Sequence, residues 1–488
     1  MKINISLNTF KRMHDLGKNQ IIFAQNKCNN NKIIENIINN FLHKKNSFIF
    51  ESVEKRRIRG RFTIVGTDPD RIWDINKNKI KLNTNGKIKI IKSNPYLYLK
   101  KIIEEFDFKL PKNLPPISSL LVGYFSYDII RYIEKIPDKC KNDLKIPDIR
   151  LMRPKTLIIH DNLLKKIYFI KNCFGDEKIN NYRDYFDKQI KNINFLKNIA
   201  FHYNFEKPDS LIKRKAKVKV KSNISKNSFK NIVLKAKKYI KKGDIFQVVL
   251  SQRFETELTR SPIEIYKKLR INNPSPFMFF INFADFQIIG SSPEILVRLR
   301  KNKITIRPIA GTRPRGNNLK KDNFYKNQLI NDKKELSEHL MLLDLGRNDV
   351  GKVSKINSVK VTEKFKIEKY SHVMHIVSNV EGQFNKKLSL LDTMLAGFPA
   401  GTVTGAPKIR AMEIIDELEK SKRKMYAGSI GYFSANKNFD TCIALRTALI
   451  KNNKFYIQSG AGIVADSVPE KEYYETVNKA QALIESLN

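Results

Sequence analysis

Apolar residues recur at helical spacing after Lys226: Phe229, Ile232, Ala236, Tyr239 and Ile240 share one face, and Gly243, tolerant of a left-handed closing turn, marks the stop. The run that follows, IFQVVLSQRFETEL, reads as a strand. Earlier, FIFESVEKRRIRGRFTIVG and SSLLVGYFSYDIIRYIE read as short strands with a few helical turns. Several strands succeed one another without an intervening helix. That arrangement predicts an α+β fold with antiparallel sheet rather than a doubly wound parallel one. Between about 207 and 227, KPDSLIKRKAKVKVKSNISKN is basic, polar and poor in large apolar residues, so it reads as the boundary between an N-terminal region, 1–210, and a C-terminal region, 225–488. No repeat of 20–50 residues is visible.

Two amphipathic helices carry matched Glu-x-x-Glu pairs, Glu335/Glu338 in KKELSEHLMLLDLGRND and Glu472/Glu475 in PEKEYYETVNKA. Asp332 with Glu335, and Ser467 with Glu470 behind Pro469, have the spacing of capping boxes. Capping and ordinary surface exposure account for such pairs on their own. Should the two helices face each other, the four carboxylates make an oxygen-only site suited to a hard divalent cation such as Mg²⁺. Carboxylates near a helix N-terminus are stabilised as anions, which favours cation binding over acid catalysis.

Composition changes this picture little. A chain of 488 residues can bury a sizeable core. Its net charge of +44 would, in a small protein, point to nucleic acid. Here Lys is spread along the whole length, and the heavy use of Lys, Asn and Ile is the mark of an AT-rich genome rather than of a docking surface. The expectation is therefore no nucleic acid. Cys28, Cys140, Cys173 and Cys442 show neither zinc-site nor disulfide spacing, and no stretch is apolar enough to span a membrane. With no signal or transit pattern at the start, a reducing cytoplasmic location is expected.

Four further features are candidates for chemistry. In LAGFPAGTVTGAPKIRAMEIIDELE, small residues precede a helix, and free backbone N–H groups with Thr402 and Thr404 can form a corner for a carboxylate or a phosphate, or simply a tight turn. In FYIQSGAGIVADS, Gly460, Ala461 and Gly462 follow a strand and allow close approach of a ligand. Arg446 lies in the strand-like run IALRTALI, where a buried guanidinium needs a carboxylate from the protein or from a ligand. His375 falls in phase with Val373 and Val377, the pattern of a core histidine as much as of a catalyst. There is no G-x-S-x-G and no cysteine nucleophile motif.

Taken in order, NPSPFMFF (273–280), GSSPEILV (290–297), RPIAGTRPRG (307–316), ELSEHLMLLDLGRND (335–349), SHVMH (371–375), GTVTGAPK (401–408) and SGAGIVADSVPEKE (459–472) resemble the chorismate-utilising enzymes, on their anthranilate-forming branch. The resemblance is dense from about 225 onward. It implies large antiparallel β-sheets packed face to face with helices on the outside, and an enzyme in which Mg²⁺ grips the ring carboxylate of chorismate while ammonia adds to the ring. Hydroxyl and then pyruvate leave, giving anthranilate.

By match to the family's motifs, Glu338 and Glu475 resemble the direct Mg²⁺ ligands, with Glu335 and Glu472 holding the metal or its waters. Glu294 resembles the acid that protonates the leaving hydroxyl, which requires a carboxyl still protonated near neutral pH. His375 resembles the histidine that assists pyruvate loss, and Thr402 a hydroxyl beside the ring. Tyr426, Arg446, Gly460, Ala461 and Gly462 resemble the grip on the enolpyruvyl carboxylate, with Gly311 and Thr312 a further contact. Water-adding relatives have Lys where this chain has Gln247, and the aminodeoxychorismate branch has Lys where this chain has Ala310; both differences favour ammonia and anthranilate.

The segment at Ile49–Ser52 resembles the family's Leu-Leu-Glu-Ser element, with Ile49 and Phe50 in place of the leucines. Through it the resemblance implies that the N-terminal region contributes a tryptophan feedback pocket lined by Ser52, Pro274, Ser275, Pro276 and Met278. No glutaminase cysteine is present, so the resemblance implies a separate glutamine amidotransferase subunit as ammonia donor, in a hetero-oligomer of two large and two small subunits. The alternatives are the aminodeoxychorismate-forming enzyme, distinguished by its product, and a basic nucleic-acid-associated protein on an enzyme's fold, distinguished by salt-dependent duplex binding without turnover.

Overall fold

The run FIF at 48–50 forms the strand Ser47–Glu51, which lies between Phe62–Asn76 on one side and Phe277–Asn282 on the other, Met278 opposite Glu51. A computed structural model describes residues 3–30, 32–52, 60–201, 218–370 and 373–487. The basic loop at 53–59, the expected boundary as far as 217, and Ser371 and His372 of SHVMH lie outside the described residues. All paired strands in the described residues run antiparallel, as the succession of strands without intervening helices predicts.

Among the described residues, strand-to-strand pairing crosses the expected boundary twice, since Leu120–Phe125 also lies beside Ser429–Ser434. N-terminal and C-terminal segments thus share hydrogen-bonded sheet. One apolar cluster consists largely of strand residues, among them Phe48, Ile64, Tyr124, Ile159, Phe279 and Leu449, which pack sheet on sheet. A second joins helix residues such as Phe229, Val233 and Ile415 to the strand residues Val248, Leu250 and Ile463. The helix Lys226–Lys241 turns its Phe229 and Ala236 face inward and ends before Gly243, whose φ is +82°.

Both acidic helices form, at Lys333–Gly351 and Pro469–Glu485. Asp332 caps the first by accepting from the N–H groups of Lys334 and Glu335. The Glu335 carboxylate does not return to close a box, because Arg313 takes it. Ser467 does not cap the second: its N-cap is Val468, Ser467 Oγ accepts from Val464 N, and Glu470 pairs with Lys226 and Lys230 instead. A tertiary ion pair has displaced the local one.

Candidate active site

The helix Lys333–Gly351 packs on the paired strands Ile309–Pro314 and Val373–Gln383. At Gly311 the register slips and φ is +66°; a Cβ there would stand 3.0 Å from Glu335 Oε2, so glycine lets backbone and carboxylate approach. Arg313 holds Glu335 at 2.8 Å and Asp332 at 2.7 Å. One turn on, Glu338 Oε1 accepts from Gln247 Nε2 at 3.0 Å. Gln247 opens the strand Gln247–Glu257, and its Oε1 is buried without a hydrogen-bond partner. Burial raises the Glu338 carboxyl, the Gln247 amide opposes that, and the charges of Glu335 and Glu475 add to it.

Glu475 approaches from the second acidic helix. It pairs with Lys479 at 2.6 Å, and Lys479 Nζ also donates to Gly460 O at 3.0 Å. Burial raises Glu472, which also feels Glu475 and, on the first acidic helix, Lys334. The two pairs are thus near enough to feel each other's charge, Glu338 that of Glu475 and Glu472 that of Lys334. Among the described residues no three His, Cys, Asp or Glu side chains draw together as a finished metal cage; Arg313 and Lys479 hold two of the carboxylates. The donors are nonetheless all oxygen and crowded with like charge, which is the environment a hard divalent cation relieves.

The strand Lys454–Ile463 runs beside Gln247–Glu257 and supplies the glycines. A Cβ on Gly462 would lie 2.7 Å from Gln247 Nε2, and one on Gly460 2.7 Å from Tyr426 Oη. Ala461 points the other way, into the core. Arg446 is not in a strand: it occupies the link between Phe439–Ile443 and Thr447–Lys451, with φ of +47°, a conformation that costs a non-glycine residue ~1–2 kcal/mol. Burial lowers its pKa and only Tyr370 opposes the shift, so no carboxylate of the described residues offsets its charge. Such an arginine is set for an anionic guest.

Glu294 is buried, and burial lifts its carboxyl to about 8 against the opposing bonds from Thr402 and the Ile309 backbone. Thr402 Oγ1 reaches both of its oxygens, at 3.1 and 3.2 Å. His375 Nδ1 lies 2.9 Å from Gly311 O and 3.0 Å from Thr312 Oγ1. Burial drives its pKa down to about 4, with Arg446 and Lys479 adding to the effect. It is a neutral imidazole at pH 7, and with Nδ1–H given to Gly311 O, Nε2 is left as the acceptor.

Thr404 and the turn before Lys408 do not form an anion corner. Thr404 Oγ1 donates to Ala400 O at 2.8 Å, and Lys408 pairs with Asp349 at 2.9 Å. Sequence reasoning also missed Arg423, which is fully buried. It binds Glu419 twice and donates to Val403 O at 2.7 Å and Val249 O at 2.6 Å, tying the Thr402 turn to the strand of Gln247. Nothing in its local sequence announces that role. Lys479 was legible, four residues beyond Glu475 on the same helix face.

A second cavity lies on the other side of Glu294, walled by Ser52, Pro276, Met278, Arg307, Tyr370 and Tyr432 among others. Ser52 Oγ is buried without a hydrogen-bond partner. Ser275 is buried, its hydroxyl donating to Ser292 O at 2.6 Å, and neither it nor Pro274 forms part of the wall.

Residues 45–485 match the family model of chorismate binding enzymes, and the chain belongs to that family. Within it the similarity runs to anthranilate synthase component 1. The protein of that name from Cereibacter sphaeroides is 44% identical over 98% of this chain and 96% of its own length, and that from Acetivibrio thermocellus 43% identical over 90% of each. The crystal structure of anthranilate synthase component I from Streptococcus pneumoniae superposes with a TM-score of 0.78 at 35% identity, covering 88% of this chain and 93% of that one. The menaquinone-specific isochorismate synthase of Escherichia coli, at 17% identity and a TM-score of 0.70 over 99% of both chains, shares the fold. No helix of the described residues is long and apolar enough to cross a membrane.

Proposed function

We propose that the chain is the large subunit of anthranilate synthase, aminating chorismate with ammonia and eliminating pyruvate as the first step of tryptophan biosynthesis. The observation that carries this reading is Glu294, a buried carboxyl lifted to about 8 with the Thr402 hydroxyl on both of its oxygens, in a chain that also buries a neutral His375 and an Arg446 that no carboxylate of the described residues offsets. A carboxyl that keeps its proton at neutral pH is an acid able to protonate a departing hydroxyl. Arg446, with Tyr426 and the side-chain-free backbone at Gly460 and Gly462, receives the enolpyruvyl carboxylate. Gln247 offers an unpartnered amide oxygen to the N–H bonds of ammonia, which needs no base to attack. His375 Nε2 then takes or relays the proton released as the ring becomes aromatic.

Glu338 and Glu475, with Glu335 and Glu472 behind them, would hold Mg²⁺, whose bound charge supplies neutralisation of the substrate's ring carboxylate. The chain's own work there is to present the four carboxylates, with Lys479, which pairs with Glu475, and Arg313, which pairs with Glu335, as the groups to be displaced.

Ammonia is supplied by a glutamine amidotransferase subunit, in a complex of two large and two small subunits. Burial raises the pKa of all four thiols, so none stands ready as the thiolate a glutaminase needs. Tryptophan occupies the cavity at Ser52 and lowers chorismate affinity from there.

The deciding experiment incubates the purified chain with chorismate, Mg²⁺ and ammonium and follows anthranilate fluorescence and pyruvate together. Equal yields of the two are expected. Accumulation of an aminated ring without pyruvate, or no consumption of chorismate, overturns the proposal.

A further inference from the structure

The Ser52 cavity and the Glu294 carboxyl are separated by very little protein. Along the segment Ser292–Ile295 the backbone alternates: Pro293 and Ile295 wall the Ser52 cavity, while Glu294 turns to Thr402 on the opposite side. Ile309 likewise walls that cavity while its backbone faces the Glu294 carboxylate. These contacts are clamped in sheet, Ile295 opposite Cys442 and Glu294 O bonded to Ile443 N at 3.1 Å. Moving them would break ladder hydrogen bonds. The Tyr370 backbone is held too, its N–H donating to Val373 O at 2.8 Å and its carbonyl accepting from Arg315 at 2.7 Å, but its ring lies between the cavity and His375. The residue stands beyond the end of the strand Lys360–Lys369, at the mouth of the hairpin that leads to His375.

The Tyr370 ring walls the Ser52 cavity, and its centre lies 5.5 Å from that of His375, edge to face. The same side chain is the group that opposes the lowered pKa of Arg446. Its hydroxyl donates to Glu368 Oε2 at 3.0 Å, and Glu368 Oε1 accepts at 2.9 Å from Arg307, which also walls the cavity. A guest in the cavity therefore touches both ends, Arg307 and Tyr370, of a three-residue string whose Tyr370 end packs against His375.

We propose that Tyr370 is the positioning residue through which occupancy of the Ser52 cavity weakens the grip on substrate. A guest packed on the ring sets the position of Tyr370; His375, which the ring meets edge to face, and Arg446, whose charge Tyr370 influences, then meet the substrate in a poorer arrangement. The inference rests on the reading of the cavity as the tryptophan site, and deepens it by naming the connection. Linkage makes the effect reciprocal, so substrate must weaken tryptophan by the same factor.

The test uses the full chain with ammonium as nitrogen donor. Equilibrium dialysis with labelled tryptophan gives its Kd, and steady-state kinetics give KM for chorismate without tryptophan and at saturation. In the parent, saturating tryptophan is expected to raise KM about tenfold or more. Tyr370→Leu, which fills similar space without a flat ring, is expected to bind tryptophan within about threefold of the parent while its KM rises less than about twofold at saturation. Tyr370→Phe keeps the ring and is expected to restore most of the rise. Full KM elevation in Tyr370→Leu overturns the inference, as does a Tyr370→Phe that behaves like the Leu variant. Loss of tryptophan binding in both variants makes Tyr370 a wall and nothing more, and overturns it too. Absence of tryptophan binding to the parent is a separate failure, that of the effector reading itself.

Discussion

Thr402 Oγ1 bridges the two carboxylate oxygens of Glu294 at 3.1 and 3.2 Å, inside a site where burial has already moved that carboxyl to about 8. A single hydroxyl proton cannot satisfy both oxygens, so the protonated carboxyl has a hydrogen to spare for a leaving group. The sign is fixed: Glu294 is the working acid while protonated, so kcat should be level below pH 8 and fall with rising pH above it. Glu294→Gln should lower kcat by about 10²–10⁴ and abolish that basic limb. A pH–rate profile of parent and variant from pH 6 to 10 checks both; an unchanged basic limb in the variant would move the acid elsewhere.

Buried histidines contribute to the acid side of the stability curve, and burial lowers His160 along with His339 and His375. His375 and His339 both have pKa values lowered to about 4 by burial. With folded values depressed, the stability they confer is present above the unfolded pKa of roughly 6.5 and is lost as pH falls toward 4. His339, whose Nε2 meets Ser378 Oγ at 2.7 Å, is the cleaner probe. Between pH 7 and 5 the parent should lose ~2 kcal/mol more than His339→Gln does, read from urea titrations at the two pH values. Identical losses would mean that His339 titrates alike in both states.

Much of this was legible from spacing. The acidic pairs announced themselves because Glu-x-x-Glu at the start of an amphipathic helix puts both carboxylates on one face, and Gly243 marked a helix end through its left-handed turn. What failed did so where tertiary partners outweighed local pattern. Ser467 and Glu470 have capping-box spacing, yet Lys226 and Lys230 from another helix claim Glu470. Arg446 sits in a run as apolar as a strand, and nothing local signals the positive φ that takes it out of the ladder. The Arg423–Glu419 clamp joins a helix end to a turn and a strand 174 residues away at Val249, and long-range pairings of that kind leave no periodicity to read.

Glu338→Gln tests the cation reading. The amide keeps the volume and a polar contact for Gln247, and it removes a charge that burial already disfavours. The folded state should change by less than ~1 kcal/mol. The Mg²⁺ concentration required for half-maximal turnover should rise at least about 10–100-fold. Magnesium titrations of the two proteins, beside their urea midpoints, check this; equal Mg²⁺ dependence would remove Glu338 from the ligand set.

Gly460 and Gly462 lie on the same face of one strand, but the neighbours a methyl group would meet differ in kind. At Gly462 the obstacle is Gln247 Nε2 at 2.7 Å, the end of a flexible side chain; it can swing aside and leave the sheet intact. Gly462→Ala should therefore fold normally while Gln247 loses its place beside Glu338, with kcat/KM reduced about 100-fold, the cost of a misplacement near 1 Å. At Gly460 the methyl would meet Leu250 O at 2.9 Å as well as Tyr426 Oη at 2.7 Å, and backbone cannot swing. Gly460→Ala should lose activity and also ~1–3 kcal/mol of stability. Thermal midpoints and kcat/KM measured on both variants separate the cases, and a Gly462→Ala protein with parental activity would show that the Gln247 position is not needed.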